Sequence, residues 1–146
     1  MNGENYIKLD FPSRSVNEGF ARSAAACFAA QLDPTLDELG DIKTAVSEAV
    51  TNCTVHAYPD SIGPVRLRAR ILGDGVLEIS VRDWGRGIED VEKAREPMYT
   101  TGGEERSGMG FTIMESFMDT VKVRSKPGKG TTVTMSRRIR QRRQAR

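Results

Sequence analysis

Ile7, Leu9 and Phe11 recur at every second position between Tyr6 and Phe11, which predicts a short strand with one apolar side. Ser15-Val16-Asn17-Glu18 has the form of a capping box, in which Ser15 and Glu18 satisfy each other's backbone donors. It predicts a helix whose apolar positions are Phe20, Ala24, Cys27, Phe28 and Leu32. After Asp33-Pro34, Thr35-Leu36-Asp37-Glu38 offers a second capping box, and Leu39, Ile42, Val46, Ala49, Val50 and Cys53 then fall on one helical stripe. That helix should end near His56, ahead of Pro59.

Val65, Leu67, Ala69 and Ile71 alternate with Arg66, Arg68 and Arg70, and Gly73-Asp74-Gly75 turns the chain into Leu77, Ile79 and Val81, a half-buried hairpin. Residues 89–96 read as helix, 97–109 as loop and Phe111 to Met118 as helix. Val121 and Val123 pair with Val133 and Met135 across Pro127-Gly128-Lys129-Gly130. Two helices followed by strands with helices between them predict an α/β sandwich.

The 146 residues suit one domain and leave no room for a separate catalytic partner domain. With 38% hydrophobic and 29% charged residues, the composition is that of a soluble globular protein. The longest apolar run, Ala24 to Ala30, is far too short for a membrane span. Met1-Asn2-Gly3-Glu4-Asn5 carries no basic region leading into an apolar stretch, so the expectation is a cytoplasmic protein without a secretory signal. Cys27 and Cys53 form no Cys-x-x-Cys pair, and His56 is the sole histidine, which argues against zinc and disulfides and predicts two small core residues.

The net charge of +2 conceals an asymmetry. Residues 137–146 carry six arginines and no acid, so residues 1–136 sum to −4. The expected division is a domain over 1–136 and a basic, disordered tail over 137–146. Nucleic-acid binding through that tail would show steep salt dependence and would vanish with its deletion, and it is the minority reading. Catalysis should survive that deletion.

Three segments can carry chemistry. Glu48 and Asn52, four residues apart, put a carboxylate and a carboxamide on one helix face, a spacing that an ordinary solvated face also shows. Asp83-Trp84-Gly85-Arg86-Gly87 puts an acid at a strand end with two glycines behind it. Such an acid can accept a hydrogen bond from an exocyclic amine such as that of adenine, while the glycines admit a flat ligand; the alternative is a plain turn. In Arg106-Ser107-Gly108-Met109-Gly110-Phe111 a glycine pair leads into a helix, where free N–H groups and the dipole favour a phosphate. Thr100-Thr101-Gly102-Gly103-Glu104-Glu105 before it has the make-up of a movable lid or of an ordinary surface loop. Gly128-Lys129 lacks a following Ser or Thr, and neither Gly85 nor Gly108 begins a full G-x-G-x-x-G, so P-loop and Rossmann sites are excluded.

Taken in order, these segments resemble the nucleotide-binding domain shared by gyrase, Hsp90 chaperones, histidine kinases and MutL, the GHKL ATPases. Glu48-Ala49-Val50-Thr51-Asn52 matches the N-box, Asp83-x-Gly85-x-Gly87 the first glycine box and Gly108-Met109-Gly110 the second, followed by Gly130-Thr131-Thr132. Leu32 to Leu39, Val46 to Asn52 and Arg106 to Glu115 are very similar to the anti-sigma F factors of endospore-forming bacteria, over roughly residues 6 to 136.

The resemblance implies the Bergerat fold, a two-layer sandwich of a mixed, mostly antiparallel sheet with helices on one face. It implies a serine kinase that uses ATP, binds ADP, and needs Mg²⁺. Such a kinase holds a sporulation sigma factor of the sigma-F type inactive as a homodimer and phosphorylates a serine on an anti-anti-sigma protein of the STAS class. By the same resemblance Asn52 ligates Mg²⁺, Glu48 orients or deprotonates the attacking hydroxyl, and Asp83 reads adenine with Thr131 supporting it. Gly85, Gly87, Gly108, Met109 and Gly110 line the nucleotide pocket, Arg106 approaches the γ-phosphate, and Thr100 and Thr101 are lid contacts.

Arg22 matches a position that touches protein partners, alongside the plain reading of a solvated arginine. His56 reads as a helix-end packing or hydrogen-bonding residue, because histidine kinases need a separate histidine-bearing dimerisation helix. The chain departs from the pattern at Trp84, where a smaller or charged residue is usual, and at Gly102-Gly103, where the lid is one residue short. Two other readings share the pocket: a general-stress anti-sigma kinase, and a nucleotide-dependent sigma-binding module without transfer activity.

Overall fold

The computed structural model describes residues 5–96 and 105–139, the side chains of 105–109 excepted. Its elements are β1 (Tyr6–Pro12), α1 (Val16–Ala29), α2 (Leu36–Thr51), β2 (Pro64–Leu72), β3 (Val76–Asp83), α3 (Val91–Ala94), α4 (Glu105–Phe117), β4 (Thr120–Lys126) and β5 (Gly130–Arg138). The strands form one sheet in the order β1-β2-β3-β5-β4. Every neighbouring pair is antiparallel, so the mixed character expected of the sheet is absent. β2–β3 and β4–β5 are hairpins, the connection through α1 and α2 brings β2 back antiparallel to β1, and the helical excursion from β3 returns at the far edge.

Strand alternation turns directly into layers. On the helix-covered face, register aligns Leu9, Leu67, Val81, Val133 and Val123 in one row and Ile7, Ala69, Ile79, Met135 and Val121 in the next. These rows pack under α1, α2 and α4 with Ile42, Val46, Val50, Phe111 and Met114. The third inner row is different: Phe11 and Val65 are followed by Asp83, Thr131 and Ser125. The core therefore turns polar at one end of the sheet, and the site lies there.

α1 departs from its expected phase. Ala21, Ala25, Phe28 and Ala29 are buried, while Phe20 is 60% exposed and Cys27 lies at the surface, so Cys27 is not a core residue. Close approach of two helices selects small side chains, and the alanines at four-residue spacing make the seam with α2 that the larger Phe20 and Cys27 seemed to mark. The capping box at Ser15 does not form. Ser15 is itself helical (φ −60°, ψ −28°), and the Glu18 carboxylate instead accepts from Ser47 Oγ on α2 and pairs with Arg22.

The second capping box does form: Glu38 N–H donates to Thr35 Oγ1 at 3.0 Å and Thr35 N–H to Glu38 Oε1 at 2.8 Å. α2 then widens into a π-type turn over Asn52–Ala57. The helix expected over 89–96 is reduced to Val91–Ala94, capped by Asp90 Oδ1. α4 begins at Glu105, not Phe111, with Phe111, Met114 and Met118 anchoring it in the core. At the other end β5 runs to Arg138 and Ile139 is buried. Arg137 pairs with Asp41 at 2.8 Å, so the fold continues three residues past the expected boundary at 136. Among the described residues, no helix is long and apolar enough to cross a membrane.

Candidate nucleotide site

The polar end of the sheet opens into a cleft of about 840 Å³, lined among others by Asn52, Cys53, Asp83, Gly87, Phe111 and Thr131. Asp83 ends β3 on the inner face, where the pleat points it under α2, and is 5% exposed. The N–H groups of Gly85 and Thr131 donate to its Oδ1 at 2.9 and 3.2 Å. Cys53 Sγ lies 3.6 Å from Oδ2. Burial pushes the Asp83 carboxyl above its usual range against the opposing pull of those two N–H groups. Burial likewise pushes the Cys53 thiol up, reinforced by the Asp83 charge beside it.

The glycines of the first box have identifiable causes. A Cβ on Gly85 would stand 2.3 Å from Ala57 O, the carbonyl that accepts from Arg86 N–H at 3.1 Å. Gly87 has φ +77°, and its Cβ would meet Lys126 O at 2.1 Å. The box is thus wedged between the widened end of α2 and the β4–β5 turn, where Gly128 N–H donates to Arg86 O at 2.7 Å. Ser125 completes the lock: its Oγ accepts from Ile88 N–H at 2.7 Å, donates to Gly130 O at 3.0 Å, and lies 2.7 Å from Thr131 Oγ1. Thr131 supports Asp83 through its backbone, while its hydroxyl serves Ser125.

Glu48 and Asn52 sit on the last turn of α2, where Asn52 begins the widened turn, a helix irregularity common at functional sites. α4 brings Gly110 directly onto them. A Cβ there would lie 3.3 Å from Asn52 Oδ1 and 3.5 Å from Glu48 Oε1. The second glycine box therefore meets the N-box, although Gly108, Met109 and Gly110 lie inside α4 and not ahead of it, so the expected free helix N-terminus at the glycine pair is not there. Among the described residues, no cluster of three or more His, Cys, Asp or Glu could hold a metal unaided. The donor set fits Mg²⁺ only as an ion shared between Asn52 and the phosphate oxygens of a nucleotide, the usual habit of that cation.

The structure thus brings Glu48, Asn52, Asp83, Gly85, Gly87, Gly110 and Thr131 around one end of the sheet. Thr100 and Thr101 lie outside the described residues, as does the side chain of Arg106. Arg22 is not part of the cleft: on α1, its Nη1 lies 3.3 Å from Ser47 Oγ and 3.4 Å from Glu18 Oε2, beside a shallow concavity with Lys43 and Thr44. His56 lines the cleft from the widened turn. Sequence reasoning missed Ser125, the role of Cys53 and Tyr58, whose hydroxyl accepts from Trp84 N–H at 2.7 Å and donates to Pro64 O at 2.7 Å. The register of β4 on β5 was the available signal for Ser125, because it pairs with Thr131.

Residues 11–137 match the family described as Histidine kinase-like ATPase domain. An anti-sigma F factor of Caldanaerobacter subterraneus subsp. tengcongensis is 58% identical over 95% of this chain and 97% of its own length. That of Clostridium acetobutylicum is 53% identical over 93% of this chain and 95% of its own. Among solved structures, the blue-light activated histidine kinase of Erythrobacter litoralis EL346 superposes with a TM-score of 0.60 at 22% identity, covering 84% of this chain and 42% of that one. The mycobacterial sensor histidine kinase MprB gives 0.57 at 15% identity, over 93% of this chain and 100% of that one. At such identities the likeness is one of fold.

Proposed function

This chain belongs to the anti-sigma F factors, within the histidine kinase-like ATPase domains, and from that premise we propose that it is an ATP-dependent protein serine kinase. It sequesters a sporulation sigma factor of the sigma-F type, works as a homodimer in the cytoplasm, and phosphorylates a serine of a STAS-class anti-anti-sigma partner. The observation that carries this reading is the seat of Gly110 on Glu48 and Asn52, at the cleft whose other wall holds Asp83.

Asp83 Oδ1 is taken by two backbone donors, so Oδ2, which carries only the weak thiol donor of Cys53, keeps a lone pair to accept from the exocyclic amine of adenine. A carbonyl at the same place on guanine would oppose the carboxylate, which gives the selection for adenine. Gly85 and Gly87 hold the backbone close to the base. Asn52 would hold Mg²⁺ beside the nucleotide, and the ion would supply neutralisation of phosphate charge.

Glu48 accepts or orients the proton of the partner's serine hydroxyl. The serine oxygen forms a bond to the γ-phosphorus as the bond to the β-phosphate oxygen breaks, ADP leaves, and the hydroxyl proton passes to the carboxylate. Gly108, Met109 and Arg106 on α4, with Thr100 and Thr101 before it, close over the phosphates. Arg22, partly exposed on the α1 side, contacts the protein partner. The test is transfer of labelled phosphate from ATP, with Mg²⁺, to an anti-anti-sigma protein. Labelled serine is the expected result; tight ATP binding without transfer would leave a nucleotide-dependent sigma-binding module.

A further inference from the structure

The sheet face opposite the helices carries a marked excess of positive charge. Register aligns Lys8, Arg68, Ser80, Thr134 and Lys122 in one outer row with no carboxylate in it. The next row aligns Asp10, Arg66, Arg82, Thr132 and Arg124. Arg66 pairs with Asp10 at 2.7 Å and, two rows away beyond the Arg68 row, Arg70 pairs with Glu78 at 2.6 Å, so the acids of this face are spent on those two arginines. Lys8, Arg68, Arg82, Lys122 and Arg124 are all exposed. Residues 1–136 sum to −4, so this concentration is a segregation of charge and not a reflection of a basic chain.

One detail makes the face costly to keep without a ligand, and a second offsets part of that cost. Arg66 and Arg82 stand directly opposite each other across β2 and β3, a like-charge pairing that destabilises a sheet. Trp84, 38% exposed, lies against both guanidiniums, at 4.6 Å from Arg82 and 5.8 Å from Arg66, and holds them in place. We propose that this open sheet face is a docking surface for an acidic polypeptide segment of a protein partner, laid across the strands over the row from Lys8 to Lys122.

A single-stranded nucleic acid fits the face less well. Ser80, Thr132 and Thr134 fill the positions between the cations, and the Trp84 ring is already engaged by arginine, so bases find no stacking platform. Carboxylates need only the cations and the intervening hydroxyls.

The test uses the full chain and its double variant Arg68→Glu/Lys122→Glu, with a fluorescein-labelled oligoglutamate peptide and, in a parallel arm, labelled oligothymidylate. Anisotropy is read at low salt and at about 0.3 M salt, together with the emission of Trp84, the sole tryptophan. The expected result is peptide binding that shifts Trp84 emission, weakens with salt, and falls at least about tenfold in the double variant, while calorimetric ATP binding is unchanged. Should the reversed variant misfold by circular dichroism, Arg68→Gln/Lys122→Gln replaces it, with a smaller loss expected. Peptide binding that survives either change belongs to the arginines beyond Ile139 and overturns the proposal. So does absence of peptide binding, or tighter binding of oligothymidylate than of peptide.

Discussion

Gly110→Ala separates the stability of the fold from the working of the site. In the interior of α4 the exchange favours the helix by about 0.8–1 kcal/mol. Against this, the new methyl stands 3.3 Å from Asn52 Oδ1 and 3.5 Å from Glu48 Oε1. Those atoms are side-chain ends, which can retreat by a few tenths of an ångström. The two effects nearly cancel, so the ligand-free Tm should move by no more than about 4 °C. Nucleotide binding has no such compensation. A displaced Asn52 carboxamide loses a contact to a charged partner, worth about 1.5–3 kcal/mol, which is roughly a 10- to 150-fold weaker Kd. Calorimetry with ATP and Mg²⁺, beside a thermal melt without ligand, reads both numbers. ATP binding within about twofold of the parent would show that Gly110 makes no room the nucleotide needs, and the assignment of the second glycine box would fail.

Asp83→Asn should abolish the thermal shift given by ATP, yet raise the ligand-free Tm at neutral pH. Burial raises the carboxyl's folded pKa above 3.8, so the stability it contributes is complete below that value and is lost as pH rises through the raised one; a wild-type curve that does not fall relative to the variant over that interval would contradict the burial argument. Glu48→Gln should retain nucleotide binding and lose most phosphate transfer, which single-turnover measurements with the partner would show. A chain ending at Ser136 should be destabilised by roughly 3–6 kcal/mol in urea unfolding through loss of buried Ile139 and of the Arg137–Asp41 pair, whereas one ending at Ile139 should melt like the parent. Thiol titration should find Cys27 reacting fast and Cys53 slowly, with ATP slowing Cys53 further; equal rates would place Cys53 away from the nucleotide wall.

The strands were the most legible part of the chain, because alternation and burial describe the same pleat: Val65, Leu67, Ala69, Leu77, Ile79 and Val81 all point inward as the pattern predicts. α1 was misphased because a pattern weights Phe20 above Ala21, while the seam with α2 selects for smallness. Ser15 and Glu18 spelled a capping box, but Glu18 found partners on its own helix and in α2, and the latter contact spans 29 residues that no local rule sees. The candidate site divides in the same way. Glu48, Asn52, Asp83 and the glycines were legible as ordered motifs resembling those of the GHKL ATPases, their local spacing alone being equally that of a helix face and a turn, whereas Ser125 and Cys53 act on Thr131 and Asp83 only through sheet register and the packing of α2. α4 was begun too late because two glycines count against a helix locally, while Phe111 and Met114 hold it from the core.

The two walls of the cleft are built from different contacts, and that difference bears on where motion can occur. On the Asp83 wall a Cβ at Gly85, Gly87 or Gly130 would meet backbone carbonyl oxygens of Ala57, Lys126 and Asp83 at 2.1–2.3 Å. Backbone held by neighbouring strands and by the end of α2 cannot retreat, so Asp83 and its two N–H donors form a fixed cluster, as the proposed reading of the base requires. On the opposite wall the nearest atoms to a Cβ at Gly110, among the described residues, are the side-chain ends of Asn52 and Glu48, at 3.3–3.6 Å. Side-chain ends shift cheaply, so α4 is held at Gly110 by groups that can yield. Nucleotide binding should therefore leave the Asp83–Thr131–Ser125 cluster in place and reorganise the first turns of α4. Hydrogen exchange with and without ATP would show protection changing at 105–110, and an equal change in β3 and β5 would refute the division.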